Sequence, residues 1–590
     1  MTRAQPPRAV EQTTGWRRFL PGLDVLLHYQ RSWLRGDVLA GITVAAYLVP
    51  QVMAYGEIAG VPPVYGLVSC LVPIVVYAVF GGSRQLSVGP ESTTALMTAA
   101  GAGLIVAGVG ADRYLDAVAA LALAVGIFCL VAWAARLGFL AEFLSRPVLV
   151  GYLAGVAVLM IVGQLGNLLH VTVTGSRTDQ QLVSAASQLA QAHWPTVAVS
   201  GLSLAALFVI GRLAPRWPGP LIVIVAATAA VTVLGVSRLG VVVVGSVPVT
   251  LPTPRLPDLT GLPLNTLAYA AVGMALVGYS DNVLTGRAFA EKQGQRIHGT
   301  QEFLAMGLAN LGSGLTQGMP VSSSGSRTVL GDSLGSKTQL YSLISGLCVV
   351  LTILFLGPAL ALFPRAALAA VIVYAAVRLI DVGEWRRLAR FRTAEFILAS
   401  VTALTVLFVG VLPGIGIAVA LSVVDLLRRL AAPHDSVLGY VPGLAGMHDV
   451  DDYPAALQVE GIIVYRYDSP LFFANAENFL RRALAPVDNA AEPVRWFLLN
   501  AEANVQVDLT AVDALDALRR TLNQRGIVFA MARVKQDLRG QLAAAGFLES
   551  VGEDHVFATL PTAMSAYVAW FRRETGRDLA LPTTPIPPTT

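Results

Sequence analysis

Between two apolar runs lies Gly318-Met319-Pro320-Val321-Ser322-Ser323-Ser324-Gly325-Ser326-Arg327-Thr328. Serine hydroxyls, backbone N–H groups loosened by proline and glycine, and one fixed positive charge are suited to holding an anion. A second stretch, Ser87-Val88-Gly89-Pro90-Glu91-Ser92-Thr93-Thr94, has the same character. Neither can lie exposed to lipid, because loosened backbone finds no hydrogen-bond partners there. Each is expected to be buried in protein or to line a wet cavity. Two Gly/Pro-interrupted segments, one in each half of a membrane domain, mark a transporter's binding site.

Other positions have suitable residue types. Gln51 and Tyr55 follow Pro50 in the first apolar run, where a proline-induced break frees carbonyls that need partners. Gln51 either supplies one or lines a pocket. Glu91 stands at a helix start, where the dipole favours a capping carboxylate. The alternative is a pocket residue or proton carrier, since a permanent negative charge there repels an anion. Asp281 lies in the apolar run 272–289, with Thr285 one turn later on the same face. An ionisable group at that depth is a functional candidate; the plainer reading is an ion pair with Arg287 or Arg327. For the serine stretch, the plainer reading is hydroxyls bonded back into a packed helix and Arg327 paired with a carboxylate. Glu57 reads as a solvated residue at the outer mouth. Cys70, Cys129 and Cys348 sit in apolar runs without metal-ligand spacing. No Walker A loop, metal cluster or nucleophile–base pattern is found, and His170, His193 and His298 fall in loops. The chain is therefore read as a non-enzyme without metal or cofactor.

What must position these residues is a membrane domain. Of 590 residues, 55% are hydrophobic and 13% charged, and the mean hydropathy is +0.64. Soluble chains carry roughly a quarter charged residues. A net charge of +4 gives no reason to expect nucleic acid. About fourteen apolar runs approach spanning length, the first near 38–56 and the last near 413–430. Basic residues concentrate in alternate loops, among them Arg84, Arg136, Arg146, Arg212, Arg287, Lys292, Arg296, Arg386 and Arg387. That asymmetry puts both termini on the cytoplasmic side. Two odd-numbered halves make the second enter from the opposite face, an inverted repeat with one special stretch third in each half. Two half-helices, starting near Glu91 and Ser324, then point their N-termini at each other, each with unpaired N–H groups. Residues 1–36 read as a polar leader at the interface, without a secretory signal, and 37–432 as the transmembrane domain. Residues 433–455 read as a linker. Residues 456–577 alternate strands with helices, as in a small α/β domain, and 578–590 form a disordered tail.

Several of these runs together resemble the SulP/SLC26 anion transporter family. They are Arg35 to Ala45, Val49 to Tyr55, Ala59 to Leu67, Gly81 to Pro90, Pro320 to Thr328 and Ser336 to Leu340. Val507-Asp508-Leu509-Thr510-Ala511-Val512-Asp513 is similar to the matching part of a STAS domain. The resemblance implies a polytopic α-helical membrane protein of about fourteen helices in a 7+7 inverted repeat with core and gate subdomains. It also implies a cytoplasmic STAS domain and a homodimer in the plasma (inner) membrane. By resemblance, Gln51, Tyr55, Glu91, Ser92, Thr93, Ser323, Ser324, Gly325, Ser326 and Arg327 bind the substrate. Asp281, Thr285 and Glu91 couple it to a proton or sodium. The function implied is secondary active import of a small oxyanion, foremost sulfate with protons. Sodium-coupled bicarbonate or dicarboxylate transport and an uncoupled anion channel stay open. Thr510 matches a hydroxyl that is phosphorylated in soluble relatives, but Ala511 replaces the usual glycine after it. The plainer reading of Thr510, and the favoured one, is the N-cap of the helix it opens, with Asp513 completing a Thr-x-x-Asp pattern.

Overall fold

The computed structural model describes residues 19–138, 145–174, 177–214, 217–233, 235–245, 253–292, 297–579 and 581. The first half of the leader, Arg296 and nearly all of the expected disordered tail lie outside the described residues. The chain divides into two compact units, Met1–Ser422 and Val423–Thr590.

In the first unit every expected apolar run is helical. They are α1 (Leu34–Ile58), α2 (Pro63–Phe80), α3 (Ser92–Val106), α4 (Tyr114–Ala134), α5 (Arg146–Gly163), α6 (Trp194–Leu213) and α7 (Gly219–Val233). The second set is α8 (Leu264–Lys292), α9 (Gly299–Leu315), α10 (Gly325–Ser333), α11 (Leu340–Phe355), α12 (Arg365–Leu379), α13 (Thr393–Phe408) and α14 (Val411–Ala431). The last of these runs across the unit boundary. Among the described residues, seven helices are long and apolar enough to cross a membrane, and others are shorter apolar helices. α3 and α10 are short because an extended segment occupies the first part of each span: β1 (Val88–Gly89) and β2 (Ser322–Ser323). The break expected at Pro50 is absent. α1 stays helical through it, because a proline removes one rung of the ladder without requiring the rest to open.

α1–α4 pack mainly with α8–α11, the closest associations being α9 on α4 and α2, and α11 on α1. α5–α7 pack with α12 and α13, chiefly α13 on α5 and α12 on α6. Small residues allow these approaches, as is usual where lipid offers no hydrophobic drive. A Cβ on Gly151 of α5 would lie 2.0 Å from the Ala399 carbonyl of α13.

The second unit is built on one sheet, with strands in the order β4-β3-β5-β6-β7-β8. They are β3 (Asp435–Tyr440), β4 (Met447–Asp449), β5 (Ile462–Tyr467), β6 (Trp496–Asn500), β7 (Val528–Ala532) and β8 (Val556–Phe557). β5 to β8 are parallel, and β3 pairs antiparallel on both sides. Helices cover both faces, so β6 is buried throughout. Phe497 and Leu499 enter a core with α15 (Ala476–Asp488), α16 (Leu509–Gln524) and α17 (Gln536–Ala544). Trp496 and Leu498 enter the other, with Met564, Tyr567 and Phe571 of α18 (Leu560–Thr575).

The expected linker is corrected here, because 435–449 contributes two strands to this sheet. Asp435 and Asp449 are not solvated spacers, whereas Asp451 and Asp452 are exposed. Asp435 accepts from the Tyr465 hydroxyl at 2.8 Å and from Arg482 Nε at 2.8 Å, fastening β3 to β5 and α15. Asp449 Oδ1 accepts from the Asp451 N–H at 2.9 Å. The cap of α16 is also corrected. Asp508, not Thr510, is the N-cap, its side chain accepting from the Ala511 N–H at 2.9 Å. Thr510 lies inside the first turn and is exposed.

Candidate functional site

Extended backbone in the middle of a membrane domain needs a partner for every polar group. The two special segments partner each other. Val88 pairs with Ser323 and Gly89 with Ser322, antiparallel. The Ser324 N–H donates to the Ser87 carbonyl at 2.8 Å, and the Ser87 N–H donates to Thr328 Oγ1 at 3.0 Å. Side chains supply the rest. Asn310 of α9 accepts from the Val321 N–H at 2.9 Å and donates to its carbonyl at 3.1 Å. The Met319 N–H donates to Ser69 Oγ at 2.8 Å, and Ser313 Oγ donates to the Met319 carbonyl at 2.6 Å. On the other segment, Gln339 donates to the carbonyls of Ser83 and Leu86.

This pairing brings the starts of α3 and α10 together, but the two ends are not equivalent. Glu91 caps α3, one carboxylate oxygen accepting from the Thr93 N–H at 2.7 Å and the other from the Ser92 hydroxyl. The plainer reading of Glu91 thus describes its geometry, and α3 carries its own compensating charge. Ser324, the N-cap of α10, makes no side-chain cap bond. A Cβ on Gly325 would meet nothing within 4 Å. Open space therefore faces the uncapped end.

Arg327 is fully buried. Its Nε donates to Ser87 Oγ at 3.1 Å, and its Nη1 donates to the Pro90 carbonyl at 2.9 Å and to Gln51 Oε1 at 3.3 Å. These partners are neutral, and Nη2 has none. The expected carboxylate partner is absent among the described residues, so the charge of Arg327 is oriented but not neutralised. Gln51 in turn donates to Tyr55 Oη at 2.9 Å and approaches Ser326 Oγ at 3.5 Å. Ser324 and Ser326 hydroxyls lie 3.3 Å apart. Gln51, Tyr55, Ser324, Gly325, Ser326 and Arg327 therefore form one constellation. Asp281 stands beside it, accepting from Ser323 Oγ at 3.1 Å. Its expected pairing with Arg327 is not made. Thr285 is half-buried on the same helix, and Thr93 is buried in the first turn of α3. Thr510 belongs to the second unit and is not part of this constellation.

Three further groups, Tyr47, Glu302 and Asp37, were passed over in the sequence, and a fourth, Glu57, was misplaced. Tyr47 lies one turn before Gln51 and two before Tyr55, and lines a cavity with Ser326; the i, i+4, i+8 spacing was a usable signal. Glu302, fully buried on α9, accepts from Tyr77 Oη at 2.9 Å, the Gly82 N–H at 2.9 Å and Asn282 Nδ2 at 2.7 Å. It locks α9 to α2 and α8, and a carboxylate in an apolar helix was again a usable signal. Glu57 is corrected from solvated to enclosed. Its side chain is 11% exposed and 3.9 Å from Arg365. Asp37, also fully buried, accepts from the Lys337 N–H at 2.7 Å and the Thr338 hydroxyl at 2.7 Å.

The sulfate permease family profile matches residues 34–402, more than half of the chain, and the STAS domain profile matches 453–563. The chain belongs to the sulfate permease family. That family comprises transporters rather than enzymes. A "Probable sulfate transporter" of Mycobacterium tuberculosis is 54% identical over 94% of this chain and 98% of its own length. A chloroplastic sulfate transporter of Arabidopsis thaliana is 30% identical over 93% of this chain and 82% of its own. The fold is that of the murine solute carrier 26 member A9 anion transporter in its inward-facing state, with TM-score 0.87 and 22% identity over 95% of this chain and 96% of that one. The sulfate permease fold thus accounts for both the multi-pass membrane unit and the STAS unit.

Proposed function

We propose that the chain is a secondary active transporter that imports a small oxyanion, sulfate foremost, coupled to protons, by alternating access. The observation that carries this reading is the uncapped start of α10 beside the un-neutralised Arg327. A helix N-terminus, two serine hydroxyls and a fixed guanidinium suit a tetrahedral dianion. The sulfate transporters among its relatives support sulfate over bicarbonate. Asp281 is the coupling group. Ser323 bridges it to the seat, since Ser323 bonds Asp281 and adjoins Ser324. The loop charges favour cytoplasmic termini in the plasma membrane, and we read the transporter as a homodimer.

The test is radiolabelled sulfate uptake into proteoliposomes, with proton and sodium gradients imposed separately. Saturable uptake that rises with an inward proton gradient is expected. Stimulation by sodium alone would replace the proton as coupling ion. A large, gradient-insensitive flux would replace the transporter with a channel. Asp281→Asn is expected to abolish gradient-driven uptake while leaving the protein folded by thermal melting; full uptake by that variant removes Asp281 from the coupling role.

A further inference from the structure

The seat is not closed on all sides. A cavity of about 330 Å³ opens beside it, with Tyr47 and Ser326 on one wall and Tyr374 and Arg378 of α12 on the other. At roughly 30 Å³ per liquid water, that is room for on the order of ten waters or a partly hydrated anion. Ser326 is exposed to this space, so the cavity ends on the seat itself.

Among the residues lining it, Arg378 alone carries a charge, and no carboxylate is present to cancel it. Arg378 ends α12. Its Nη1 donates to Tyr374 Oη at 2.9 Å, and its guanidinium carbon lies 5.7 Å from the centre of the same ring. Tyr374 is fixed in turn by an edge contact with Phe208 at 5.2 Å. It also lies against the backbone of Gly211, where an added Cβ would fall 2.2 Å from its hydroxyl. No ion pair of Arg378 occurs among the described residues. Arg365, at the other end of the same helix, is paired with Glu57. One end of α12 is thus neutralised and the other is left bare over an open cavity.

We propose that Arg378, positioned by Tyr374, is the recruiting residue of this inlet: it draws anions from solution into the cavity that leads to Ser326. The proposal rests on the anion-transport reading. A single uncancelled charge in a narrow low-dielectric cleft raises the local anion concentration and the entry rate by about tenfold or more. It does not itself hold the transported anion, so its loss affects entry more than turnover.

The first test does not depend on transport. Ser333 lines the same cavity and is exposed. In full-length protein in nanodiscs, carrying Cys348→Ser and Ser333→Cys, labelling is timed with a negatively charged and a neutral methanethiosulfonate reagent. Cys70 and Cys129 are buried. Adding Arg378→Gln is expected to slow the anionic reagent about tenfold and leave the neutral one unchanged, with Arg378→Lys restoring most of the rate. Raised inert salt should erase the difference. An anionic rate that Arg378→Gln leaves unchanged, or a slowing shared equally by the neutral reagent, overturns the proposal. The loop charges place this cavity on the cytoplasmic side, so in sulfate exchange Arg378→Gln is expected to raise the KM for sulfate on that side with little change in maximal rate. An unchanged KM, or a loss of maximal rate alone, also overturns it. Absence of uptake by the unmodified protein counts against the proposed function, while the labelling result still decides the inlet.

Discussion

Arg327 shows how one side chain can be both structural and chemical. Its three bonded contacts reach α1 through Gln51 and the segment around β1 through Ser87 and Pro90, leaving Nη2 buried without a partner. A lysine brings the charge but not the planar fork. We predict that Arg327→Lys lowers sulfate uptake at least about tenfold and costs about 2 kcal/mol of stability, from lost charge-assisted bonds. Uptake and thermal melting of purified protein read the two effects; uptake like that of the unmodified protein would show that the fork is dispensable. The serine stretch was legible in the sequence because serines and an arginine contradict the apolar run around them. Gln51 was legible because it follows Pro50. Tyr47 and Glu302 were not singled out and Glu57 was placed in solvent, since what distinguishes them is a partner far along the chain. Arg365 lies far from Glu57 in sequence, and Glu302 meets Tyr77 only when α9 packs on α2.

Helices make these partners meet. α12 crosses beside α1, and near its start Arg365 stands 3.9 Å from Glu57 near the end of α1. α1 belongs to one packing group and α12 to the other, so this pair joins two groups of helices at the end opposite the Arg378 cavity. We predict that it latches that end closed. Glu57→Gln or Arg365→Gln should each speed sulfate exchange or slow net uptake measurably, and the charge-exchanged double variant should recover most of the loss. A double variant no better than the singles, in a mutant cycle on uptake, dismisses the latch. In the second unit, the start of α16 gives a sharper forecast. Asp508 accepts from Ala511 and also from the Phe473 N–H at 2.7 Å, whereas exposed Thr510 is no cap. Asp508→Ala should cost about 1–2 kcal/mol and Thr510→Ala at most about 0.5 kcal/mol, as read by melting. A larger loss at Thr510 would restore it as the structural residue. Element existence was readable from hydropathy and alternation. The identity of the cap was not, because Asp508 and Thr510 are both good capping types and only backbone geometry separates them.

At the scale of the whole chain, two parts of different composition were readable, but the division falls at Ser422–Val423, inside the last apolar run rather than at 432, and the role of 433–455 was not readable. Polar composition suggested a spacer, but β3 lies between β4 and β5. Removing 435–449 would expose the long edge of β5, whose free N–H and carbonyl groups template association. We predict that such a deletion yields aggregated protein by size-exclusion chromatography; a monodisperse, fully folded product would return the segment to linker status. The pairing of β1 with β2 has a consequence for biogenesis. Ser87 and Arg327 lie 240 residues apart in the chain, and helices enter a membrane one after another from the N-terminus. The first half therefore waits with Ser87 to Pro90 unpartnered until α10 arrives, and loops closed over such distances form late. The anion seat is among the last features to assemble. A nascent chain that stalls before α10 has no seat, and it presents the quality-control machinery with an unsatisfied polar segment.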